Sequence, residues 1–147
     1  MEGSIIVEAP GVRIHATRIS SASPYWAVRQ APAAADLVIE DTAVTVRHNV
    51  IMVAHGGEAA VAFYTGQGPQ RGIMVRDNLV AGGGYTPHVG EGRGEIAIEV
   101  RGNHFSRAVY PTGGRYGAVA GWDRAAPGSV WADNGWDDTA KPVGPRV

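Results

Sequence analysis

The chain has 147 residues, a net charge of −1 and no cysteine. That length supports one core but not two domains of ordinary size, and the missing cysteine excludes disulfides, Cys-ligated zinc, iron–sulfur clusters and a thiol nucleophile. Charged residues make up only 18%, without the basic excess that phosphate-backbone binding needs, so no nucleic acid partner is expected.

Gly 21 and Pro 9 make about a fifth of the chain turn-prone, which suits a β-rich fold with many corners and not a helical bundle. No apolar run approaches the ~20 residues that cross a bilayer, so no membrane partner is expected. The start, Met1-Glu-Gly-Ser4, lacks a basic stretch followed by an apolar one, so no signal peptide is expected.

In chain order, strand-like alternation appears at 5–8, 12–15, 37–40, 44–47, 73–76, 96–101 and 130–132, with Gly, Pro or Asn/Asp close to most of these segments. No stretch shows a long 3.6-residue apolar period. Residues 31–35 are Ala-rich but short, and they carry Pro32.

Four strand phrases close on asparagine: Val44-Thr-Val-Arg-His-Asn49, Ile73-Met-Val-Arg-Asp-Asn78, Ile98-Glu-Val-Arg-Gly-Asn103 and Ser129-Val-Trp-Ala-Asp-Asn134. The asparagines are 29, 25 and 31 residues apart, close to one solenoid coil. An inward Asn at the same turn of each coil can bond to its counterparts above and below, forming a polar ladder. Thr17 takes the equivalent place in an earlier phrase, and Ile19, Ile51, Leu79 and Phe105 follow at or near the next inward site.

The fold expected is all-β: a short right-handed parallel β-helix of about five coils with an internal asparagine ladder, roughly 25 Å tall at ~4.8 Å per coil. It forms one domain over 1–147, with a partial first coil at 1–11 and a last coil and Trp-rich cap at 106–147. Leu37–Thr42 and Val44–Asn49 resemble each other at an offset too short for a coil. Two readings stand: two faces of one coil joined by a bend at Asp41–Ala43, or a place where whole coils have been lost.

The segments Ala9-Pro-Gly-Val-Arg-Ile14, Ser23-Pro-Tyr-Trp-Ala-Val28, Val75-Arg-Asp-Asn-Leu-Val-Ala-Gly-Gly-Gly-Tyr85 and Gly128-Ser-Val-Trp-Ala-Asp-Asn-Gly-Trp-Asp-Asp-Thr139 resemble bacterial secreted β-helix proteins of the pectate-lyase-like superfold, uncharacterised actinobacterial members in particular. The resemblance implies the fold, an extracellular location and contact with polysaccharide. It does not imply an activity: the Asn-Thr-Asp, Asp-Asp and Gly-His-Gly set of polygalacturonases and the Asp-Pro-His-Asp of alginate epimerases are missing, and fold alone does not carry function.

Candidate residues follow from the same alignment. Arg47, Arg76 and Arg101 each precede a ladder Asn by two residues and stack in one surface column. Such a column suits the carboxylates of an acidic polysaccharide, and the plainer reading is a solvated face balanced by Glu95 and Glu99. Late aromatics, with Tyr85 and Trp122 as ligand-binding candidates beside Tyr110, Tyr116, Trp131 and Trp136, suit either sugar stacking or closure of the last coil.

His15, His48, His55, His88 and His104 show no ligand spacing, although stacking can bring one beside Asp77, where it could serve as a general base. Asp133, Asp137 and Asp138 read as a solvated acidic tail sooner than a Ca²⁺ site. The Gly-rich turns lack the Walker pattern. The sequence assigns no catalytic residue, and no metal or cofactor is expected. The function expected is a non-catalytic glycan-binding or glycan-facing module for acidic polysaccharide. The alternatives are an oligomeric structural, virion or surface protein, in which homo-oligomer contacts cover open coil ends, and a polysaccharide lyase or hydrolase.

Overall fold

A computed structural model describes residues 5–7, 13–15, 18–21, 26–30, 44–53, 57–64, 70–91 and 96–145. The phrase at 37–40, the bend at Asp41–Ala43, Thr17, His55 and Glu95 lie outside the described residues. Among the described residues there is no helix, and fourteen strands follow one another: β1 (Ile5–Val7), β2 (Arg13–His15), β3 (Arg18–Ser21), β4 (Trp26–Gln30), β5 (Val44–Arg47), β6 (Val50–Val53), β7 (Ala59–Tyr64), β8 (Gln70–Arg76), β9 (Leu79–Gly82), β10 (Tyr85–Glu91), β11 (Ile96–Arg101), β12 (His104–Phe105), β13 (Val130–Ala132) and β14 (Gly135–Trp136).

These strands form three sheets: a first in the order β1-β4-β7-β10, a second in the order β13-β11-β8-β5-β2, and a third in the order β14-β12-β9-β6-β3. Every strand-to-strand pairing within them is parallel. From β2 to β12 the chain visits second, third and first sheet in rotation, and β13 and β14 return to the second and third. Parallel neighbours cannot be joined by a tight hairpin, so each return to a sheet needs a long connection. Here the other two sheets supply it, an arrangement compatible with a β-helix.

The step from second to third sheet is the same at the four bends from β5, β8, β11 and β13. One residue in the left-handed region, His48 (φ 54), Asp77 (φ 53), Gly102 (φ 65) or Asp133 (φ 55), is followed by the asparagine, and the next strand begins. A left-handed residue costs an L side chain about 1–2 kcal/mol, least for Gly and for short polar types that bond locally, which is the choice made at most of these bends.

Asn49, Asn78, Asn103 and Asn134 are all buried. Each carboxamide oxygen from Asn78 onward accepts two bonds from the preceding asparagine. Asn49 donates its N–H (3.0 Å) and Nδ2 (3.1 Å) to Asn78 Oδ1. Asn78 does the same to Asn103 Oδ1 (3.1 and 2.9 Å), and Asn103 to Asn134 Oδ1 (3.0 and 2.9 Å). The second Nδ2 hydrogen goes to the carbonyl of a strand residue, as Asn78 to Val46 (2.9 Å), Asn103 to Val75 (2.9 Å) and Asn134 to Val100 (2.8 Å). Buried amides are thus satisfied inside an apolar stack, the condition on which such burial is tolerable.

Apolar columns flank this ladder. Val46, Val75 and Val100 lie in register three residues before each asparagine, and Trp131 ends the column. Ile51, Val80 and Phe105 lie two residues after it, with Trp136 last. The inward residue after Asn78 is therefore Val80 and not Leu79, which pairs with the outer positions Val50 and His104. A strand's two-residue period makes such a one-place slip decisive for burial.

The first sheet follows another rule. Ala59, Ala60, Val61, Ala62 and Phe63 are all buried, so β7 is covered on both faces and reads as a continuous apolar run. The last strands of the second and third sheets are folded over by the following chain. Trp136 N–H bonds to Lys141 O (2.9 Å), Val143 N–H to Asn134 O (2.9 Å), and Trp131 Nε1 to Val143 O (2.7 Å).

Replacing Asn103 by Ala strands two buried donors of Asn78 and the carbonyl of Val75, and is expected to cost about 3 kcal/mol in urea unfolding. A cost below about 1 kcal/mol would contradict a ladder of buried, mutually satisfied amides.

Candidate functional site

The three arginines do stand in register, Arg47 beside Arg76 and Arg76 beside Arg101. Each is engaged with a carboxylate. Arg47 Nε lies 3.3 Å from Asp77 Oδ2, Arg76 Nη2 bonds to Glu99 Oε2 at 2.5 Å, and Arg101 lies between Glu99 (2.9 Å) and Asp133 (3.7 Å). Three cations and three anions alternate along the face, which removes the repulsion a bare column would carry and leaves little net field to attract an anionic ligand.

The Arg76 hydrogen bond holds the Glu99 carboxyl below its ordinary value of 4.5; partial burial opposes the shift, and the charges of Arg76 and Arg101 reinforce it. His48 Nε2 lies 3.6 Å from Asp77 Oδ2, with both side chains close to half exposed. Stacking thus brings a histidine to Asp77. Both residues already occupy the left-handed bend, which gives a backbone reason for their presence. Gly102 occupies the same place one row on, where a Cβ would lie 2.7 Å from Asp77 Oδ1.

Trp122 packs edge-on against Trp131 (5.2 Å between rings) and, with Trp131 and Trp136, lies against the core. Arg107 stands over the Trp136 ring at 3.7 Å and pairs with Asp138. Burial raises the Asp138 carboxyl, but the Arg107 bond and charge outweigh it and leave it below the ordinary range. These contacts make the Trp cluster a closure of the last strands.

Tyr85 sits elsewhere. Its ring is 5.9 Å from that of Tyr116 and 5.8 Å from His88. His88, which shows no ligand spacing in the sequence, is buried within β10, with Nδ1 4.0 Å from Glu58 Oε1. Glu58 carries no signal in the sequence, since it precedes an Ala-rich segment without alternation. Tyr116 is 62% exposed, the most exposed large hydrophobic side chain among the described residues. The candidates therefore divide: Arg47, Arg76 and Arg101 form one paired face, Tyr85 joins a separate Glu58–His88–Tyr116 group, and Trp122 belongs to the closure.

Among the described residues no three His, Asp or Glu side chains converge in a way that would hold a metal ion, and no helix is long and apolar enough to cross a membrane. Asp133 and Asp138 face arginines. No family model, curated protein or solved structure matches the chain.

Because the Glu99 carboxyl is depressed in the folded protein, its stabilising contribution is complete above its unfolded value and disappears as pH falls through the lower folded one. Glu99→Gln should cost about 1 kcal/mol at neutral pH, and the gap from the parent protein should close well below pH 4.5. Urea midpoints at several pH values measure this, and a gap independent of pH would refute the pairing.

Proposed function

We propose that the chain folds as a short right-handed parallel β-helix of about five coils and serves as a non-catalytic, glycan-facing module. The rotation of the chain through three parallel sheets supports the fold, and the strong preference of parallel crossovers for one hand supports its handedness. One observation carries the functional reading: Tyr116 presents an exposed aromatic ring beside Tyr85, on a flank where a sugar's C–H face can stack.

Acidic polysaccharide is the weaker form of this reading. The arginines that would grip it are matched by Asp77, Glu99 and Asp133, and a ligand carboxylate would have to displace a partner already in place. The surface of interest moves from the arginine column to the aromatic flank.

A second reading, assembly through like subunits, is favoured by the strand edges at which the sheets end. The chain folds over β13 and β14, whereas β1, β2 and β3 are the last strands of their sheets at the opposite end among the described residues. Strand edges are natural sites of pairing.

Native-gel retardation by a panel of soluble neutral and acidic polysaccharides tests the first reading, with light scattering on a sizing column for the second. Retardation of a monomer is expected. A defined oligomer that no polysaccharide retards would replace the glycan reading with the assembly one. Release of unsaturated or reducing ends from the retarding polymer would establish an enzyme.

A further inference from the structure

The corner leading into the first sheet carries Glu58, Gly84 and Tyr116 at three successive rows, each one residue before the register partners Ala59, Tyr85 and Gly117. Backbone bonds tie the rows together: Gly84 N–H to Gly57 O (2.6 Å), Tyr85 N–H to Glu58 O (3.0 Å) and Tyr116 N–H to Gly84 O (2.8 Å). The middle row has no side chain, and it has no room for one. A Cβ on Gly84 would lie 2.7 Å from Glu58 O and 3.3 Å from Tyr116 Cδ2. The Tyr116 ring therefore rests against a bare glycine, with an acid on the far side.

We propose that Glu58, Gly84 and Tyr116 form a subsite for a neutral, hydroxyl-rich saccharide, a refinement that rests on the glycan-facing reading above. Its three parts are complementary. Tyr116, 62% exposed, offers the stacking face. Gly84, itself buried, leaves the space beside its backbone that the Tyr116 ring fills. Glu58, with a side chain 46% exposed, offers carboxylate oxygens, which accept hydrogen bonds and do not donate them, so they suit sugar hydroxyls.

Two row spacings of ~4.8 Å separate Glu58 from Tyr116 by roughly 10 Å, the reach of two linked sugar rings. Behind them, Tyr85 touches Tyr116 and His88, and His88 Nδ1 lies 4.0 Å from Glu58 Oε1, so both contact residues are backed by packed side chains. The carboxylate also sets the ligand class: a uronate or sulfate placed against it would be repelled. Arg115 is the competing influence, with its guanidinium 5.4 Å from the Tyr116 ring.

The test is affinity electrophoresis of the full chain in gels containing mixed-linkage β-glucan, galactomannan, dextran, alginate or polygalacturonate. It is run on the parent protein and on Tyr116→Ala, Tyr116→Phe, Glu58→Gln, Arg115→Ala and Arg76→Ala, with unfolding midpoints confirming that each variant is folded. Retardation by at least one neutral polymer is expected. Tyr116→Ala and Glu58→Gln should weaken it about tenfold or more, and Tyr116→Phe and Arg76→Ala should preserve it.

Retardation by a neutral polymer that survives Tyr116→Ala or Glu58→Gln overturns the subsite and leaves the broader glycan reading standing. Retardation by acidic polymers alone, lost in Arg115→Ala or Arg76→Ala, overturns the neutral ligand class. If no polymer retards the parent protein, the glycan reading fails and the subsite fails with it.

Discussion

Buried amides with fixed partners constrain the structure more tightly than apolar contact does. Each asparagine from Asn78 onward takes two donors on one oxygen and returns one hydrogen to a strand carbonyl, over distances between 2.8 and 3.1 Å. Apolar side chains tolerate sliding; a hydrogen bond loses its value within a few tenths of an ångström or a modest change of angle. Once the ladder is set, the columns of Val46, Val75 and Val100 and of Ile51, Val80 and Phe105 have one register available. The arginines and their carboxylates then fall into line on the outer face for the same reason.

The second sheet was the legible one. Its strands, β5, β8, β11 and β13, have one face inward and one outward, so alternation is visible, and each ends on a recognisable Arg or Ala, bend residue and Asn. The first sheet was hidden by its own burial. β7 is covered on both faces and carries four small or branched apolar residues before Phe63, which gives no period to detect. β10 contains Pro87, which argues against a central strand; it is tolerated because only the isolated bridges of Tyr85 to Gly117 and His88 to Ala120 continue the sheet beyond it. The third sheet shows in the sequence as single apolar residues at or near an inward site, and after Asn78 two neighbours, Leu79 and Val80, offer equal signals, of which Val80 is the inward one.

The same division explains why the candidate site was only half visible. Arg47, Arg76 and Arg101 repeat at a fixed distance from the ladder, so sequence places them together, but their partners come from neighbouring rows at the bend and the strand alike. Glu58, Gly84 and Tyr116 share no motif. They meet because three corners of different length deliver them to one side of the first sheet, a coincidence of register that no local pattern records. Charge balance on one flank and an acid and an exposed aromatic on another are consequences of stacking, and composition alone, with a net charge of −1, hides both.

The unequal separations of the asparagines have a consequence for how this chain can change its length. At the four described bends between second and third sheets, one left-handed residue is followed by one asparagine. An extra residue there would move the amide off its acceptor and turn the following strand's inner face outward. The corner between third and first sheets behaves differently: it runs over 54–58 in one row and 83–84 in the next, yet Val53 with Gly82 before it and Ala59 with Tyr85 after it remain paired. Insertions and deletions are therefore admitted at one corner and refused at the other. The molecule has a built-in place where new loops, and with them new specificities, can be grafted without disturbing its frame.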